Sequence, residues 1–263
     1  MDFKKAAIGT ASRILRFIGI IAVIYVSMVF YLALTERRNA FPRAITHVEA
    51  RQAIDGKASP ISCTMEDGTV LGGWTLGAQG SPTLLYYPDA DEDAAQFLAE
   101  VQELPGVTLV TFNYRGSTEN KGTPSQETFE PDARGIMECA SQVNGTPKFI
   151  AGRGTGAILA AEQMSAATTA NTKLILIDPV LSIADAISEK YRLFYPKFLV
   201  RADVKMPREI LEQTQNRAFL FLDRKMHSER NHTLGSQNPS LKQVDRSEKT
   251  LSETLSVVTN EEN

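Results

Sequence analysis

Between Phe149 and Met164 the chain reads FIAGRGTGAILAAEQM, a short apolar run, a glycine-rich turn and an alanine-rich stretch of helical character. Two chemistries need glycine at such a turn. A dinucleotide site takes G-x-G-x-x-G/A directly after a strand, because glycine lets the backbone approach a pyrophosphate on the amino end of the next helix. Gly152, Gly154 and Ala157 satisfy that spacing, and Asp178 stands where an acid for the ribose is wanted. A nucleophile elbow takes G-x-S-x-G, whose outer glycines let the backbone crowd its neighbours while the central side chain meets the substrate. Gly152 and Gly156 supply the outer pair. The central position, however, is Gly154, which has no hydroxyl, and the neighbouring Thr155 falls one residue into the helix.

Other groups have chemical potential too. Asp89, Asp91 and Asp93 form DxDxD with Glu100 following, a spacing similar to a calcium loop. Ala94 occupies the position that needs glycine, and acids at a helix start are explained by capping and by the helix dipole, so no metal site is expected. Arg115 and Arg153 are candidates to hold an anion at the carboxyl ends of strands, with pairing to Asp132 or another carboxylate as the structural alternative. Of the three histidines, His47, His227 and His232, each reads as a solvated surface residue. Cys63 and Cys139 lack any ligand spacing, and both are read as small buried apolar residues that pair only if the domain is exported.

The elements that must position these groups follow from periodicity. Ile61–Met65 and Thr69–Leu76 flank Asp67-Gly68, the signature of an antiparallel hairpin. Then TLLYY, VTLVTF, KFIAG, KLILID and AFLFL are short, nearly continuous apolar runs suited to strands buried on both faces. Helices are expected over 91–104, 131–143 and 155–166, with a longer irregular region over 181–215. A hairpin followed by strand–helix units predicts a mixed α/β sheet covered on both faces.

Ahead of this domain, Phe17–Leu34 is eighteen residues without a charge, about the minimum for a membrane-spanning helix. The span is expected over about 14–35 within an anchor of 1–38, followed by a linker over 39–60 and a domain over 61–263. A cleaved signal peptide is the alternative, since ALT before Glu36 offers small residues, but the apolar run is longer than such segments carry. Lys4, Lys5, Arg13 and Arg16 precede it and Arg37, Arg38 and Arg43 follow, which favours a cytoplasmic amino end and an extracytoplasmic domain. Residues 1–38 carry a net +4 and the whole chain −3, leaving −7 for the remainder, so nucleic acid is not expected as a partner.

From Ile61 to Leu255 the chain resembles the α/β-hydrolase superfamily, and within it the membrane-anchored Bem46-like serine hydrolases. Glu66-Asp67-Gly68 and Gly73-Trp74 resemble that group's EDG hairpin and GW pair. Asn113-Tyr114-Arg115-Gly116 with Gly122-Thr123-Pro124-Ser125 is similar to its NYRGYGxSxGxPSE stretch, and Gly152–Ala157 to its GRSLGS elbow. The resemblance implies a mostly parallel eight-stranded sheet with the elbow after the fifth strand.

It also implies a serine, a histidine, an acid and an oxyanion loop, and here the sequence departs. Gly154 stands at the nucleophile position and Glu248 at that of the histidine; only Asp223 matches the acid. The oxyanion positions are Pro88, Asp89 and Thr155, where the group has FHGN in the loop, and a carboxylate there opposes a developing negative charge. Loss of a triad costs on the order of a millionfold in a serine protease. The reading is a membrane-anchored pseudoenzyme that needs no cofactor and binds a small molecule or protein. Its cleft would lie between Pro88, Gly154 and a cap over 181–205 that carries Tyr191, Phe194, Tyr195 and Phe198. The alternatives are an esterase or peptidase with an altered constellation and, more remotely, a dinucleotide-binding protein.

Overall fold

A computed structural model describes all residues except 1–2, 167–170, 192–193, 203, 215–216, 227, 240 and 261–263. Eight strands form one sheet: β1 Ser59–Thr64, β2 Val70–Leu76, β3 Thr83–Tyr87, β4 Thr108–Phe112, β5 Phe149–Arg153, β6 Lys173–Ile177, β7 Ala218–Leu222 and β8 Lys242–Asp245. Their spatial order is β1-β2-β4-β3-β5-β6-β7-β8. β2 is antiparallel to both β1 and β4, and every other pairing is parallel. The apolar runs are continuous because side chains alternate between two buried faces. In β3, Leu85 and Tyr87 enter one core while Leu84 and Tyr86 enter the other; β6 divides Leu174 and Leu176 from Ile175 and Ile177 in the same way.

Ten α-helices and a short 3-10 turn, Lys197–Leu199, are present among the described residues. α1 Phe3–Leu34, α2 Glu36–Ala40 and α3 Val48–Ile54 precede the sheet; α4 Ala94–Val101, α5 Gln126–Asn144, α6 Gly156–Ala166, α7 Ile183–Tyr191, α8 Arg208–Gln213, α9 Ser228–Gln237 and α10 Leu251–Asn260 alternate with its strands. α5 and α6 cover one face, with α3, α4 and α10 on the other.

Several boundaries differ from the sequence reading. α5 begins at Gln126, not at Pro131, because Ser125 and Thr128 form a reciprocal cap that starts the helix earlier. α4 is shortened to 94–101: an Asp93–Gln96 capping box sets its start, and Gln102 at φ +58° ends it. Within 39–60, the stretch read as a linker, α3 buries Ala50 and Ile54 beneath α4. Cys63 of β1 and Cys139 of α5, read as separate apolar residues, form a disulfide across 76 positions with Cα atoms 5.8 Å apart.

α1 contains one stretch, Gly9–Leu34, long and apolar enough to cross a membrane, with its side chains almost wholly exposed.

Candidate active-site cleft

β5 ends at Arg153 and α6 begins at Gly156, so the turn between them is only two residues long. The turn is this tight because of its glycines. A Cβ on Gly152 would meet Ala157 N at 2.7 Å, and one on Gly156 would meet Tyr87 C at 2.8 Å. Gly154 sits at φ +55°, the left-handed conformation of an elbow's crest. Its amide donates to Ile177 O at 3.1 Å and its carbonyl accepts from Val180 N at 3.1 Å.

What occupies the crest is the Asp89 carboxylate. A Cβ built on Gly154 would overlap it, with Oδ1 at 2.6 Å. Asp89 Oδ1 accepts from Thr155 N at 2.9 Å, from Thr155 Oγ1 at 2.6 Å and from Ala90 N at 2.8 Å. The donor amide after the nucleophile position and the amide of the β3 loop are the pair that an elbow aims at an oxyanion. Both are taken by the chain's own anion, which also rests on the amino end of α6, where the helix dipole favours negative charge. Sequence reasoning identified the mismatch at Asp89 but not that its carboxylate fills the site. The dinucleotide reading meets the same obstacle: the anion where a pyrophosphate would lie is Asp89.

Neighbouring residues fix this loop. Tyr114 Oη donates to Pro88 O at 2.9 Å, and Arg115 forks onto Asp132 while its Nη1 reaches Asp67 at 2.8 Å. Arg115 is thereby held in structural pairs, and so is Arg153, which binds Glu92 at 2.9 Å and Glu100 at 2.7 Å. Glu92 also accepts from Asp89 N at 3.0 Å and from Tyr86 Oη at 2.8 Å. Burial raises its carboxyl above the usual range against the pull of Arg153. The DxDxD acids disperse: Asp89 turns to the elbow, Asp93 caps α4 and receives His47 N, and Glu100 pairs with Arg153. Among the described residues no three potential ligands converge on a metal position.

The residues read as the remaining triad positions, Asp223 and Glu248, are each engaged with other partners. Glu248 is 80% exposed and forms an ion pair with Lys225. Asp223 Oδ1 accepts from Lys225 N and Met226 N, both at 3.0 Å, and these amides, led by that of Met226, hold its carboxyl below the usual range. His47 lines a shallow groove that reaches Asp89, but its Nδ1 accepts from Ala50 N at 3.2 Å and caps α3. His232 is exposed on α9, and His227 lies outside the described residues. Asp178, the ribose-acid position of the dinucleotide reading, accepts from Asp223 N at 2.7 Å, Asn231 Nδ2 at 2.8 Å and Arg246 Nε at 2.8 Å. That network ties β6, β7 and the segment after β8 together, and no local motif announces it.

Above Asp89 and Thr155 lies a cleft of about 400 Å³, lined by Pro42, Ala90, Val180, Ile183 and Ile187.

No protein-family model matches this chain. It is 27% identical over 187 residues to an uncharacterized protein, Rv2307c, of Mycobacterium tuberculosis strain H37Rv, and equally to MT2364 of strain CDC 1551. The matched stretch is 68% of this chain and 66% of either relative, just under two thirds of their length. The Pyrococcus furiosus esterase Pf2001 superposes with a TM-score of 0.55 at 15% identity, over 84% of this chain and 92% of the esterase. The thioesterase domain of the curacin biosynthetic pathway gives 0.50 at 13% identity, over 76% and 98%. The fold is that of the α/β hydrolases. The eight-stranded, mostly parallel sheet with helices on both faces and a tight turn after β5 is what the resemblance in sequence implied.

Proposed function

We propose that this chain is a membrane-anchored α/β-hydrolase-fold protein of the membrane-bound serine-hydrolase kind that has lost hydrolysis and acts by binding. The observation that carries the reading is the Asp89 carboxylate, seated where a nucleophile side chain and the oxyanion of a tetrahedral intermediate would both have to be. Hydrolysis of an acyl bond needs an attacking oxygen, a base and free donors for the developing charge. Gly154 offers no oxygen, Glu248 points to solvent with Lys225, and the two amides are engaged. The cleft above Asp89 is the natural seat for a small molecule or a peptide segment of a partner, and α1 is the anchor. Pairing of Cys63 with Cys139 supports a domain on the oxidising, extracytoplasmic side.

The test uses the full chain in detergent. We expect no labelling by a fluorophosphonate probe and no turnover of short acyl esters, in the wild type or in Gly154→Ser. Wild-type turnover that disappears in Thr155→Val would overturn the reading and assign Thr155 as nucleophile of an altered esterase.

A further inference from the structure

The cap and the end of α1 are built as one piece. Glu36, 7% exposed at its side chain, lies two residues past α1 and accepts from Tyr195 Oη at 2.8 Å, Arg201 N at 2.7 Å and Ala202 N at 2.9 Å. Arg201 Nη2 reaches back to Ala33 O at 3.0 Å, inside α1 itself, and Tyr191 Oη donates to Asn39 Oδ1 at 2.9 Å. Met28, Val29 and Ala33 pack against the same core cluster as Leu199, Val200 and Ala202. The end of the apolar helix and the residues just after it are therefore tied to the cap.

The lengths agree with this arrangement. At 1.5 Å per residue the 26 residues Gly9–Leu34 reach about 39 Å. The hydrocarbon core is only about 30 Å thick, so about six residues are left for the interface. The cap meets α1 at the end of this surplus, where Arg201 Nη2 reaches Ala33 O. In the segment that leads to this contact two rings stand out of the protein: Phe198 is 84% exposed and Phe194 50%. Lys197, whose Nζ pairs with Asp185, lies between them in sequence, Arg37 and Arg38 are exposed in α2 directly after α1, and the exposed Arg201 reaches the last turn of α1. Aromatic rings beside basic side chains are the composition of a surface that lies in the headgroup zone of an anionic leaflet.

We propose that the segment Phe194–Arg201 docks on the bilayer beside α1, with Phe194 and Phe198 in the acyl boundary and the basic side chains on anionic headgroups. This rests on α1 spanning the membrane. It fixes the domain against the leaflet and sets the cleft, bounded by α2 and α7, beside the headgroups.

The chain has one tryptophan, Trp74 on β2, so Phe198→Trp adds one reporter whose emission is the difference from wild type. The full chain is reconstituted in phosphatidylcholine–phosphatidylglycerol vesicles with or without brominated acyl chains. Bromolipid is expected to quench the added emission at least about twofold while leaving Trp74 nearly unchanged, since contact with the acyl boundary is required. Phe194→Trp repeats the measurement on the second ring. Added emission quenched no more than Trp74 overturns the docking. Emission shielded from aqueous acrylamide yet blind to bromolipid also overturns it, and assigns the surface to a second copy of the chain. Release of the wild type from vesicles by alkaline carbonate defeats the spanning reading, and the docking with it; retention without quenching defeats the docking alone.

Discussion

At Gly154 and Asp89, two residues 65 positions apart share one volume. A methyl group at Gly154 would overlap the Asp89 carboxylate, and the φ of +55° adds a left-handed backbone that alanine tolerates poorly, at roughly 1 kcal/mol. Gly154→Ala is therefore expected to destabilise the domain by about 2–4 kcal/mol, through displacement of an anion that holds three donors. In an Asp89→Gly background the overlap is gone, and the same substitution should cost only the backbone part, about 1 kcal/mol. A double-mutant cycle by thermal unfolding then shows a coupling of about 1–3 kcal/mol. Additive costs would mean that the carboxylate does not fill the elbow. This pairing also means that a serine placed at the crest finds no open site: Gly154→Ser meets the carboxylate before it meets a substrate.

The elements on either side of the elbow contribute a second charge effect. Glu162 of α6 has a buried Oε2 without a hydrogen-bond partner, and Glu130 of α5 is its carboxyl neighbour. Burial first, and Glu130 next, push the Glu162 carboxyl up to about 7 from an ordinary 4.5. Between those values the folded chain keeps a proton that the unfolded chain has lost, so stability falls as pH rises through the window and levels off above it. Because Glu162 is partly exposed, the penalty is discounted for solvent screening to about 1–2 kcal/mol. Glu162→Gln should recover that amount at pH 8 and nothing at pH 4, read as melting temperature across the range; an equal gain at both pH values would exclude titration as the cause. The strands were legible in the sequence, since TLLYY or KLILI buried on two faces leaves few alternatives. Residues 39–60 were not, because α3 has little periodicity of its own and is held by contacts from afar, such as His47 N to Asp93 at 2.9 Å. The start of α5 was hidden by Pro131, a residue usually placed in a helix's first turn, which here sits deeper behind the Ser125 cap.

For the molecule as a whole, the position of each motif was readable while its partner was not. GRGTG marked the elbow and YPDA the facing loop, yet that the second fills the first depends on β3 lying beside β5, a sheet-order fact. The same holds for Cys63 and Cys139, whose spacing says nothing until β1 and α5 are seen to pack together. The bond closes a long loop between the edge hairpin and the helix that covers the sheet, and loops of that length gain most from closure in the unfolded chain. Cys63→Ser with Cys139→Ser is expected to cost about 2–5 kcal/mol in thermal unfolding of the full chain, and dithiothreitol should cost the wild type as much. Cys63 is 2% exposed, so the pairing itself is read after denaturation: neither thiol should take maleimide unless reductant has been added. Free thiols in protein freshly isolated without reductant would remove both the bond and the support it gives to an extracytoplasmic domain. A protected pair, isolated from a host whose cytoplasm is reducing, would instead place this sheet, its plugged elbow and the cap beside α1 on the outer side of the membrane.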